Sequence, residues 1–341
     1  MFRSIAGCFL LLLGFTVARA QKTQDITLKL PTVKVSNSHY NTIRCLDIRP
    51  DTTNLGVVQL GAFNRKAKVV PKKPFTQQLS AVFNSAIDGI AKNHELILQI
   101  RQFSFAEITA GFSEKGYCYL RAALYAKGAD LYQKVSSIDT VICLKSSLDV
   151  TQMILDTGGV VISSFIQKNL LKDPAGITYT YNNILNIDSF EKQQLKVYTT
   201  STYVDGVYLT YQSFRDQLPD QQFTINGDDV NTATIKTTGA DGKPQKVKAK
   251  NVYALVYKGH AYISSLTEYC PLKKVNDDLV FTGPGKLAPN TADVITASMF
   301  FGVIGSLAAT NVESTFEMKI DHINGGFIRI REIIPPPYEP Q

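Results

Sequence analysis

The chain has 341 residues, 44% of them hydrophobic and 19% charged. That balance is too apolar for a disordered tail and gives enough chain for one large domain or two ordinary ones. With 22 Gly and 14 Pro, collagen-like and low-complexity classes are excluded, and the net charge of +7 suits an anionic surface without singling out nucleic acid.

Residues 1–20 carry the layout of a secretory signal peptide. Arg3 is the positive start, Phe9 to Val17 the apolar run, and Ala18-Arg19-Ala20 a small-x-small cleavage site before Gln21. The run is short for a membrane span. Ile5-Ala6-Gly7-Cys8 imitates a lipobox, but the apolar run follows Cys8 rather than preceding it, so lipidation there is rejected. Cleavage removes Arg3 and Arg19, leaving 34 basic and 29 acidic residues, a mature charge of +5.

Residues 21–40 read as a flexible lead-in or an added edge strand. Short strands follow at 43–48 and 55–60. Then comes a basic loop with Arg65, Lys66, Lys68, Lys72 and Lys73, a candidate contact for an anionic surface. A helix starts near Pro74, its apolar face formed by Phe75, Leu79, Val82, Phe83, Ala86 and Ile90. A strand beginning at Leu96 changes phase before Phe103 and Phe105, which predicts a bulge. Segments 117–126 and 131–142 form a hairpin turning at 127–130. A second helix spans about 148–171, bent or interrupted at Gly158-Gly159. Strands, helix, strands, helix make an α+β unit over 41–172: an antiparallel sheet with two helices on one face.

Asp173-Pro174-Ala175-Gly176 marks a boundary. Residues 173–332 read as a mostly antiparallel β domain, with strands at 177–181, 193–199, 222–226, 232–237, 245–257, 260–266, 279–282, 314–320 and 327–331. Turns are expected at Asp241-Gly242, Lys258-Gly259 and Asn324-Gly325. Lys246, Lys248 and Lys250 fall on one solvated strand face. This domain includes an apolar helix over 293–310. Its core, 294–309, is uncharged, and Ser298, Gly302 and Ser306 repeat every fourth residue, a stripe for close helix packing or for a membrane. Acidic flanks and the strands that resume beyond it favour burial in the fold. A Pro-rich tail, 333–341, ends the chain.

Four Cys remain after cleavage: Cys45, Cys118, Cys143 and Cys270. In the expected hairpin register Cys118 faces Asp139 and Cys143 faces Glu114. That puts the two sulfurs roughly 13 Å apart along the strand, beyond the ~7 Å between Cα atoms that a disulfide tolerates. Most of these are expected to be free, buried thiols. The four His, at 39, 94, 260 and 322, show no ligand spacing, and His260 and His322 read as exposed turn residues. A Cys–His nucleophile from Cys118 or Cys143 with His94 has no motif behind it. There is no G-x-S-x-G elbow. Gly283-Pro284-Gly285-Lys286 lacks phosphate-loop spacing, and Asp228-Asp229 lacks that of an EF-hand. No catalytic, cofactor or metal residue is named.

Two stretches carry resemblances. Gly206 to Phe214 with Leu218-Pro219, and Val252-Tyr253-Ala254 through Gly259 to Ile263, are similar to uncharacterised exported proteins of the Bacteroidetes, as is the leader ending at Ala20-Gln21. The element order of 41–171 resembles the TolB N-terminal domain and the auxiliary lipoproteins of lipid-trafficking ABC transporters. These resemblances imply an envelope scaffold or adaptor; unlike those auxiliary lipoproteins, this chain lacks a usable lipidation Cys. The expectation is an exported, non-enzymatic binding or scaffold module, in the periplasm or at the cell surface. It would contact an envelope protein or anionic envelope surface, and needs neither nucleic acid nor cofactor. A hydrolase of envelope polymers and a component anchored by 294–309 are the alternatives.

Overall fold

The computed structural model describes residues 22–61, 64–92, 94–110, 113–147, 149–239, 241–265, 267–284 and 314–334. The predicted leader and the apolar run with Ser298, Gly302 and Ser306 lie outside the described residues, as does the tail from 335. Among the described residues, no helix is long and apolar enough to cross a membrane.

The architecture is α+β. The first half runs β1 (Lys22–Ile26), β2 (Thr42–Asp47), β3 (Gly56–Leu60), β4 (Arg65–Pro71), α1 (Phe75–Ala86), β5 (Glu95–Ala110), β6 (Ser113–Lys127), β7 (Tyr132–Ser146), α2 (Thr151–Lys168) and β8 (Thr178–Tyr179). These strands form one eight-stranded sheet in the order β1-β4-β3-β5-β6-β7-β8, with β2 also on β5. The sheet is mixed, not antiparallel: β1 pairs β4, and both β2 and β3 pair β5, in parallel. The expected basic loop is instead the strand β4, inserted between β1 and β3. Ala67 and Val69 point inward between Arg65, Lys66 and Lys68, an alternation of period two that the density of charge conceals.

Residues of β5 alternate between two cores. Leu96, Leu98 and Ile100 join α1 and α2 in the first core, and Ile97 faces the opposite side. Between Ile100 and Gln102 the register shifts, leaving Arg101 unpaired. Beyond this bulge the odd residues Phe103 and Phe105 turn toward the helices, as the change of phase predicted.

Helix α2 is continuous through its two glycines, contrary to the expected interruption. Gly158 lies where the helix touches the sheet, and Gly159 where it touches the segment that follows β1. A Cβ on Gly158 would sit 2.6 Å from the Phe105 ring and 2.9 Å from Cys118 Sγ, and one on Gly159 would sit 2.9 Å from Thr27 O. Gly158→Ala should therefore destabilise, by about 1–3 kcal/mol of overpacking, where a free helix position would gain about 1 kcal/mol. A urea melt reads the sign, and a gain would refute the packing role.

The β6–β7 hairpin pairs Cys118 with Ile142 and Tyr117 with Cys143, a register three residues from the expected one. The loop closes at Lys127–Tyr132, and a shift at Leu124/Tyr125 leaves Val135 as an extra residue. Cys118 and Cys143 therefore point to opposite faces, and all four cysteines described are free.

The second half continues with α3 (Tyr181–Leu185), α4 (Ile187–Lys192), α5 (Lys196–Thr199), β9 (Gly206–Tyr208), α6 (Tyr211–Arg215), β10 (Phe223–Asn226), β11 (Thr234–Thr238), β12 (Pro244–Lys246), β13 (Ala254–Tyr257), β14 (His260–Ser264), β15 (Tyr269–Val275), β16 (Asp278–Pro284), β17 (Thr315–Ile320) and β18 (Phe327–Ile333). The expected strand at 193–199 is helical, because Leu195, Val197 and Tyr198 bury toward a core on one side only. The expected strand at 245–257 is broken by a short 3-10 turn at Ala249–Asn251, so Lys246, Lys248 and Lys250 do not share a strand face. Strands β9 and β15 are additions.

Strands β18-β17-β16-β15-β14-β13-β9 form a seven-stranded sheet, and β10-β11-β12 a small second one. One face of the larger sheet holds an aromatic core of Tyr198, Tyr208, Phe214, Tyr253, Phe281, Phe316 and Phe327. Val207, Val252 and Leu255 pack with Ile235 of the small sheet. The hairpin glycines take the left-handed conformation their turns require, Gly259 at φ +74° and Gly325 at φ +77°.

Candidate functional site

Three polar places stand out. The first is a seam between the halves. The bulge residue Arg101 leaves the helix-packed face of the first sheet and reaches α4, forming ion pairs with Asp188 and, at 2.8 Å, Glu191. Arg121, one register step away on β6, holds Asp139 across the hairpin and Asp321 beyond β17, each in a forked contact. Its contacts to Asp321 are 3.1 and 2.6 Å, those to Asp139 3.1 and 2.9 Å. Asp321 is 2% exposed.

The β17–β18 turn lies on this seam. His322 is buried, not the exposed turn residue the sequence suggested, with Nε2 3.0 Å from Glu191 Oε2. Tyr211 and Tyr253 donate to the carbonyls of His322 and Gly325, at 2.7 and 2.9 Å. Burial would raise the Glu191 carboxyl, but the His322 hydrogen bond and the Arg101 charge outweigh it and hold it at about 2. Burial likewise opposes ionisation of Asp321, yet Arg121 keeps that carboxyl below its usual range. Asp188, Glu191 and His322 are close enough to ligate an ion. The Arg101 guanidinium already occupies that role, so a metal would have to displace it.

The second place is a cleft of about 510 Å³ at the other end of the hairpin. His39, Lys92, His94 and Lys127 stand around it with Asp130 and Asp173, over an apolar wall of Tyr40, Ala126 and Leu131. His39 Nδ1 lies 2.9 Å from Asp173 Oδ1, and Lys127 Nζ is 3.0 Å from Glu95 Oε2. Lys92 then supplies an ammonium, with the His94 ring and the Asp130 carboxylate around it. Tyr40 is anchored by donating to Lys172 O at 2.8 Å.

The third is a carboxylate group formed by Glu107 on β5, Glu114 on β6 and Asp149 just before α2, whose ligand atoms lie within 4.8 Å of one another. Burial, with the charges of Glu114 and Asp149, pushes the Glu107 carboxyl up against the hydrogen bonds it accepts.

The candidates named from sequence are not assembled into one site. Arg65, Lys66 and Lys68 lie along β4, while Lys72 and Lys73 are exposed in the turn before α1. Cys118 and Cys143 pair with β6–β7 positions far from His94, which precedes β5. Burial pushes the Cys118 thiol up, and it pushes Cys45 and Cys270 up to about 12, so these three are not thiolates. His260 is exposed at its turn. Sequence reasoning did not single out the seam and carboxylate residues as sites. A charged residue inside an apolar strand run, as in Tyr119-Leu120-Arg121-Ala122-Ala123 or Phe105-Ala106-Glu107-Ile108, was the available signal.

No family model matches the chain, and no curated protein matches it. Among solved structures, protein XCC0632 from Xanthomonas campestris, of the family model DUF330, is similar at 13% identity. The likeness covers 42% of this chain and 92% of that one, with a TM-score of 0.28. A likeness of that size fixes neither fold nor function.

Proposed function

We propose that the protein is an exported envelope component that binds an anionic partner group in the cleft beside the β6–β7 turn, without chemistry of its own. The observation that carries this reading is the cleft itself. It sets the Lys92 ammonium and the His94 ring against an apolar wall of Tyr40, Ala126 and Leu131. That combination suits a ligand with an acidic head and an apolar body. Export rests on the leader-like residues 1–20. A scaffold role fits two sheets joined by buried ion pairs.

Retention of the mature protein on a sulfated-polysaccharide resin, against an uncharged resin, tests the reading. Wild type should be retained and released by salt. Lys92→Glu should weaken retention roughly tenfold, the weight of reversing one partly screened charge. Lys66→Glu with Lys72→Glu should leave it unchanged. Loss of retention in that second variant alone would move the contact to the basic strand, and no retention of wild type would refute an anionic partner.

A further inference from the structure

The carboxylate group at the far end of β5 poses a problem that hydrogen bonding does not solve. Glu107 faces the helix side of the sheet with Phe103 and Phe105, and it is 1% exposed. Gly116 stands opposite it on β6, and Glu114 follows two residues along on the same face. The start of α2 closes the third side. A Cβ on Gly116 would lie 2.9 Å from Ile154 Cβ, so the helix presses directly on this point.

One oxygen of each carboxylate has a donor. Glu114 Oε2 accepts from Val150 N at 3.1 Å, and Asp149 Oδ1 from Thr151 N at 2.8 Å. Glu107 Oε2 accepts from Gln59 N at 3.2 Å and lies 2.6 Å from Thr151 Oγ1. Capping the start of α2 therefore accounts for Glu114 and Asp149. It does not account for Glu107 Oε1, which is buried and has no hydrogen-bond partner. An unpaired buried carboxylate oxygen beside two like charges is costly. Among the described residues, no basic side chain forms an ion pair with any of the three; the charges acting on Glu107 are those of Glu114 and Asp149.

We infer that Glu107, Glu114 and Asp149 form a calcium site that ties the β5–β6 end to the start of α2. All the donors are oxygens, which selects a hard cation. They come from three separate segments rather than one preformed loop, which suits the flexible coordination of calcium better than the strict octahedron of magnesium. Asp149 is exposed and gives the ion its path in, with water completing the shell. The orphan Oε1 becomes a ligand, and the mutual repulsion of the three carboxylates becomes attraction to the ion. This inference is independent of the cleft, which lies at the opposite end of the hairpin.

Isothermal titration of the chelator-treated mature chain with calcium chloride, and separately with magnesium chloride, decides it. The expectation is one calcium per chain, with Kd on the order of 10⁻⁴ M, the range of extracellular calcium modules. Magnesium should bind more weakly, and calcium should raise Tm. Asp149→Asn keeps an acceptor for Thr151 N, so the fold survives, and it should weaken calcium roughly tenfold or more. Glu107→Gln should abolish binding. If that buried variant fails to fold, Asp149→Asn decides alone. No heat and no change in Tm at millimolar calcium would overturn the site. Unaltered affinity in Asp149→Asn would overturn it equally.

Discussion

Arg121→Ala is expected to lower the unfolding free energy by about 3–5 kcal/mol, the cost of stranding a buried charge. The stranded group is Asp321, 2% exposed and held by Arg121 through both of its oxygens. Asp321 cannot turn to solvent, because its backbone and one oxygen already fix the turn. Its N–H donates to Gly326 O at 2.7 Å, and Oδ1 accepts from Ile323 N at 3.0 Å. Asp139 is 28% exposed and recovers hydration when the arginine goes, so it adds little. Asp321→Asn should cost less, since the amide oxygen still accepts from Ile323 N and Arg121 keeps Asp139. The double variant Arg121→Met with Asp321→Asn should recover part of the loss, because no buried charge is left unpaired. Urea denaturation measures all three. A loss below about 1 kcal/mol in Arg121→Ala would mean that the seam behaves as a surface ion pair.

The seam also marks where reading the sequence stops. The phase change after Ile100 was legible because apolar residues switch parity, and a bulge is the cheapest way to let both sets face the helices. What the bulge does with its extra residue was not legible. Arg101 finds Asp188 and Glu191 on a helix about ninety residues away, and no local pattern encodes that meeting. The hairpin at 127–132 was legible as a hairpin, yet its register was off by three. A turn fixes register only when its loop length is known, and the extra Val135 leaves no mark in composition. The basic run at 65–73 was misread because charge density hid an alternating strand. Gly158-Gly159 was misread because glycine in a helix signals either weakness or close approach, and only the Phe105 ring decides between them. The carboxylates of the inferred calcium site are likewise invisible in sequence, with about forty residues separating Glu107 from Asp149. Local amphipathic elements could be read from the chain, whereas every polar junction depends on tertiary pairing.

Acid should open the molecule at the same seam. Glu191 ionises at about 2 in the folded chain against an ordinary 4.5, held down by His322 and Arg101 despite its burial. A carboxyl with a depressed folded value contributes its full stability above its unfolded value and loses it as pH falls toward the folded one. The window therefore runs from about pH 4.5 down to 2, and the contribution lost is on the order of 3 kcal/mol. Asp278 and Asp321, also depressed, act with the same sign. Glu107 acts with the opposite sign, because its raised carboxyl favours the protonated fold as pH drops. Glu191→Gln separates these contributions. It should lose stability at neutral pH and show a shallower decline of unfolding free energy between pH 4.5 and 2. Equal slopes for wild type and variant, measured by urea melts across that window, would show that Glu191 titrates as a solvated carboxylate and that the Arg101 contact does not hold in solution.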